Sequence, residues 1–290
     1  MLCVCALALA LIVPQAQAGH DKAWWQAIRD QDYEPPAGAS IPGLARELGA
    51  YLGSTDPVLR DEIAYAVLTQ WIYVKKIVPP EVLRPLIAEW TANLALGIGE
   101  VGTETVFRRS FSALMLSVAV ALDNDTPYLE RAELATLLGA ALRYLAAEED
   151  TRGFDPATGW MHSVAHTADL LKFLARSRHL RPAEQGRILG GIADKVGAVD
   201  HVLAHGEDER LARAVVSIVA RPDADLVAFQ AFLDSLRPAP PPETGPTPAL
   251  LAANQNRRHL AVSLFAALST DQRDLESLAQ ARTMTLALLR

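Results

Sequence analysis

The sequence predicts an all-α fold, built from helical hairpins stacked as in an armadillo-like or HEAT-like α-solenoid. Three observations predict it. Apolar residues recur at intervals of three and four through nearly every long segment. Alternating, strand-like patterns are almost absent, and the helical runs come in pairs of similar length joined by short turns. At 50% hydrophobic over 290 residues the chain can bury a sizeable core.

The elements follow in order. Met1 to Ala18 reads as a secretory signal peptide: an apolar run from Leu2 to Val13, a break at Pro14, then Ala16-Gln17-Ala18 with small residues at the two positions a signal peptidase inspects. The run is too short to span a membrane. Both cysteines, Cys3 and Cys5, lie inside this leader, so the mature chain beginning at Gly19 has no thiol or disulfide chemistry. The expectation is a soluble, periplasmic or secreted protein without a transmembrane anchor.

A helical repeat domain is then expected over 19–236. Asp21 to Asp30 and Ile41 to Leu52 are short amphipathic helices around the Pro35-Pro36 and Gly38 breakers. Longer helices are predicted at 56–74, 79–96, 103–122, 127–147, 162–177, 182–196, 208–220 and 223–236. Pro57, Pro80, Pro127 and Pro182 stand near the first helical position, where a missing N–H is harmless. Residues 237–248, RPAPPPETGPTP, form a stiff Pro-rich linker. A C-terminal helical hairpin, 249–290, is amphipathic and expected to pack back on the body.

The net charge is -7 with basic residues dispersed, which argues against a nucleic-acid groove, since that needs concentrated positive charge. A second periodicity concerns polar residues. Dense polar clusters open every other helix: Arg60-Asp61-Glu62; Arg108-Arg109-Ser110 with Ser112; His162, His166 and Asp169; and, after His205, Asp208-Glu209-Arg210. In stacked hairpins alternate helices lie side by side and point the same way, so these four openings are expected to meet around one polar pocket. Trp160, two residues before His162, is placed to wall it.

Three chemistries suit such a set. In the first, Arg60, Arg108 and Arg210 pair with Asp61, Glu62, Asp208 and Glu209, and the network is structural. In the second, His162, His166 and Asp169, within roughly 60° of one another on a helix, coordinate a divalent metal, with His201 or His205 as a further ligand. No HExxH is present, because positions 163 to 165 are Ser, Val and Ala. In the third, the pocket is metal-free and binds a polar or anionic ligand, Arg108 and Arg109 supplying positive charge and His162 or His166 acting as acid or base beside Glu62, Asp208 or Glu209. A Ser-His-Asp count can be assembled from Ser110, His166 and Asp208, without a nucleophile-elbow motif.

The strings LRDEIAY, VFRRSFSALML, DTRGFDPATGWMHSVAHTADLL and HGEDERLA together resemble a bacterial family catalogued as domain of unknown function 2785. The resemblance spans about residues 56 to 220. It implies a helical fold and no activity, and it places motif positions at Arg60, Asp61, Glu62, Arg109, Ser110, Gly153, Trp160, His162, His166, Asp169, Glu207, Asp208 and Arg210. The leading expectation is a binding or interaction module for a polar small molecule or peptide. The alternative is a metal-dependent hydrolase using His162, His166 and Asp169.

Overall fold

The computed structural model describes residues 19–290. The expected leader and both cysteines lie outside the described residues. What is described is mostly helical, and the only strands in it are the two-residue β1 (Phe154–Asp155) and β2 (Gly159–Trp160), an antiparallel hairpin in the loop before the histidine helix.

The helices are α1 (Lys22–Asp30), α2 (Ile41–Tyr51) and a continuous α3 over 58–74, in which π-helical turns at Val58–Tyr65 and Gln70–Val74 flank an α-helical turn at Ala66–Thr69. There follow α4 (Pro80–Asn93), α5 (Thr105–Asp125), α6 (Arg131–Ala147), α7 (Ser163–Arg176), α8 (Pro182–Ala198), α9 (Glu207–Val219), α10 (Leu226–Ser235), α11 (Pro248–Thr270) and α12 (Glu276–Leu289). Side chains cap the starts: Asp21 accepts from the Trp24 amide at 2.8 Å, and Asp225 from Val227 and Ala228. The start of α6 is displaced from Pro127 to Arg131. The buried Asp123 carboxylate takes the amides of Tyr128 and Leu129, and the Glu130 amide binds Glu133, so the proline stays in the loop.

Alternate helices are neighbours. α5 packs on α7, α7 on α9 and α9 on α11, while α6, α8, α10 and α12 form a second row. α5 and α7 run the same way, because Ser110 meets His166 near their starts and the Asn124 side chain donates to Phe173 O near their ends. α9 joins them with Arg210 on Asp169 and Ser217 on Arg176. The centre of the core is α5: it is long and apolar enough to cross a membrane, yet most of its side chains are packed against protein.

The C-terminal pair lies against α8, α9 and α10. The Pro-rich segment is tied down where it begins, Ala239 exchanging two hydrogen bonds with the Asn254 side chain on α11.

Candidate functional site

The loop between α6 and α7 is built to deliver two histidines. Its entrance is fixed by Arg109, fully buried, whose guanidinium makes a paired contact with Glu148 at 2.6 and 3.0 Å and also donates to the carbonyls of Leu96 and Gly97. Arg60, also fully buried, holds the hairpin tip. It donates to Thr158 O and Ser54 O at 2.8 Å, grips Asp61, and lies over the Phe107 ring at 4.1 Å. Gly153 is required because a Cβ there would stand 2.1 Å from the His205 ring.

The loop ends on His162, which adopts the left-handed conformation at φ 49° and ψ 35° directly before α7. For a non-glycine residue this costs about 1–2 kcal/mol, and such strain gathers at functional sites. Its ring stacks on Trp160 with centroids 4.2 Å apart and meets the ring of His166 edge-on at 5.7 Å. His162 is 6% exposed, and its Nε2 is buried without a hydrogen-bond partner.

His166 is tied by Nδ1 to the Ser110 hydroxyl at 2.7 Å, and the same hydroxyl is bonded to Met161 O. A carbonyl only accepts, so the single hydroxyl proton goes to Met161 and the Ser110 oxygen must receive its second bond from His166 Nδ1–H. The neutral tautomer is thereby set, and Nε2 carries the lone pair. Burial, then repulsion from the imidazolium that His162 would form and from the Arg210 guanidinium, holds His166 well below the ordinary imidazole pKa. Burial followed by the charge of Arg210 brings His162 down to about 4. Both rings are neutral at physiological pH.

These groups border a cleft of about 490 Å³, lined by Asp61, Tyr65, Phe111, Leu114, Trp160, His162, His166, Asp169, Arg210 and Arg213. Asp61 sits on the wall with a carboxyl raised by burial, partly offset by Arg60. The four openings thus meet through Asp61, through Ser110 behind His166, through the histidines and Asp169, and through Arg210. Their neighbours turn away. Glu62 pairs with Arg29 at 2.6 Å, Arg108 donates to Ala50 O, Asp208 accepts from Ser263, and Glu209 faces Arg213 from the surface at 3.8 Å. Arg109 is the structural clamp described above. His205 lies behind the cleft wall, its ring 5.9 Å from Trp160, and lines a separate hollow with His201, which sits beside Asp200 and Thr151.

The residues expected as a ligand set or triad are engaged as follows. One Asp169 oxygen is held by Lys172 at 2.9 Å and the other by Arg210 at 2.7 Å, while His166 bonds Ser110 through Nδ1 and keeps Nε2 free. Among the described residues no group of three or more His, Cys, Asp or Glu is placed to hold a metal ion. In the Ser110, His166, Asp208 count, the Ser110 proton is committed to Met161 O and Asp208 is bonded to α11. Sequence reasoning missed Tyr65, Phe111, Leu114 and Arg213, the apolar and flanking walls. Tyr65 and Arg213 lie about one helical turn beyond Asp61 and Arg210, the spacing that could have found them.

A family profile described as a protein of unknown function (DUF2785) matches residues 94–266. The match starts after the Arg60-Asp61-Glu62 segment and runs beyond the linker into α11, so it is shifted toward the C-terminus of the span expected from the motifs. No curated protein and no solved structure matches the chain significantly.

Proposed function

The chain belongs to the DUF2785 family, and within that family of unknown function we propose that it is a binding protein whose cleft takes a small, polar ligand. One observation carries this: His162, strained and nine-tenths buried, leaves Nε2 without a partner at a cleft where His166 Nε2 is also free of protein bonds. An orphaned buried polar atom costs about 1–3 kcal/mol, and a ligand group can remove that cost. With His166 fixed as an acceptor, the ligand presents a hydroxyl or amide N–H there. No carboxylate on the walls is left unpaired, Asp61 being met by Arg60 and Asp169 by both Lys172 and Arg210, which disfavours a cationic ligand. The cleft volume suits a sugar-sized molecule or one peptide side chain.

The Ala16-Gln17-Ala18 leader supports export to the periplasm or medium. The two rows of alternating helices support a HEAT-like or armadillo-like repeat architecture.

A thermal-shift screen of polyols, sugars, amides and short peptides, followed by calorimetry, tests the binding reading. The expected result is a saturable hit lost in His162→Ala and in His166→Phe, the latter keeping ring volume while deleting the acceptor. A hit that survives both substitutions places the ligand elsewhere and ends the proposal.

A further inference from the structure

At the other end of the same helices lies a cavity of about 570 Å³ with a different lining: Asn124, Arg176, Arg178, Ser217, Arg221 and Arg273 are among its walls, and no acidic side chain is. The four arginines come from the end of α7, the turn after it, the turn after α9 and the α11–α12 loop. Two of them are largely committed. Arg221 spends its guanidinium on Ala175 O, Ser177 O, Leu180 O and Asp223, and Arg178 holds Asp123 and Leu129 O.

The other two are not. Arg273 uses Nε and Nη2 on Asp271, leaving Nη1. Arg176 has its Nε on the Ser217 hydroxyl at 3.0 Å and its plane near the Phe173 ring at 5.3 Å, and among the described residues it has no carboxylate partner. The hydroxyl and the ring orient the guanidinium while both terminal nitrogens stay free, the two-pronged donor that matches a pair of anionic oxygens. Desolvation and the nearby charge of Arg273 push Arg176 below the usual guanidinium pKa, so a second positive group is felt there. A helix C-terminus favours cations, which accounts for arginines gathering here but not for one left with an open fork facing another.

We propose that this cavity is a second binding site, for a small oxyanion of the phosphate type, free or as a monoester, held by the Arg176 fork with Arg273 Nη1 and Arg178 Nε as auxiliary donors. It is separate from the histidine cleft and stands or falls independently of it.

The test is isothermal calorimetry of the purified protein with inorganic phosphate and with a phosphate monoester, glycerol phosphate, as separate titrants that distinguish the two sources, in chloride buffer of fixed ionic strength. The expected result is saturable one-to-one binding, weakened about tenfold or more by Arg176→Gln and less by Arg273→Gln, with His162→Ala neutral. Arg273 is on an exposed loop, so its variant tests the site even if Arg176→Gln folds poorly. Absence of saturable binding, equal binding by both arginine variants, or loss of binding in His162→Ala overturns the proposal.

Discussion

The two ends of the α5–α7–α9 layer use the same residue types in opposite ways. Around the helix starts, Arg60 and Arg109 are buried and saturated, Arg210 is anchored on Asp169, and the buried groups left open are neutral imidazoles. At the helix ends, arginine is what is left open and no histidine lines the cavity. The helix macrodipole contributes to this division. Its positive end raises the cost of an imidazolium at His162, immediately before α7, and its negative end lowers that of a guanidinium at Arg176, in the last turn. An arginine is therefore not evidence of a ligand site until its donors have been followed to their acceptors.

Arg60→Met should break this contrast most visibly. It strands Asp61 on the cleft wall and frees the Thr158 and Ser54 carbonyls, so denaturant unfolding should show a loss of about 3–5 kcal/mol, and the hairpin should lose its protection from hydrogen exchange. A loss below about 1 kcal/mol would show that Arg60 is not the clamp described.

Acid should act next. The His162 pKa is about 4 folded against 6.5 ordinarily, so between those values the unfolded chain binds more protons and stability rises with pH. The contribution is whole above pH 6.5 and disappears as pH falls through 4, on the order of 3 kcal/mol in all. His166 shifts in the same direction. Denaturation curves from pH 7 to pH 4 on the wild type and on His162→Phe measure it; identical slopes would mean that His162 is not the group responsible.

A smaller effect is expected for Ser110→Ala, which leaves Met161 O and His166 Nδ1 unpaired in the core, at about 2 kcal/mol. With the tautomer no longer imposed, affinity at the cleft should fall as well. NMR of the His166 ring nitrogens checks the step directly, since the wild type must carry its proton on Nδ1. Arg176→Gln should be the mildest of the four, within about 0.5 kcal/mol of wild type in melting experiments, because no carboxylate depends on it. A large destabilisation there would make Arg176 structural, and the two ends alike.

Much of this was legible in the chain. Periodicity and caps placed the helices to within a few residues in most cases, the start of α6 being the exception. The β-hairpin was not legible: two-residue strands carry no alternation to detect. The arginine cavity also escaped, since its residues come from scattered turns and share no pattern.

By itself, the sequence determined the helical class, the order of the elements and the segments in which polar groups gather, because these depend on contacts within a few residues along the chain. Only the tertiary structure decided which member of each cluster faces the cleft. Adjacent helical residues point about 100° apart, so the rotation of each helix against its neighbours sends Asp61 inward and Glu62 to Arg29, Ser110 to His166 and Arg109 to Glu148, Arg210 to Asp169 and Glu209 to the surface. That rotation is set by how the apolar faces of α3, α5, α7 and α9 pack together, a balance over the whole core that no single segment encodes.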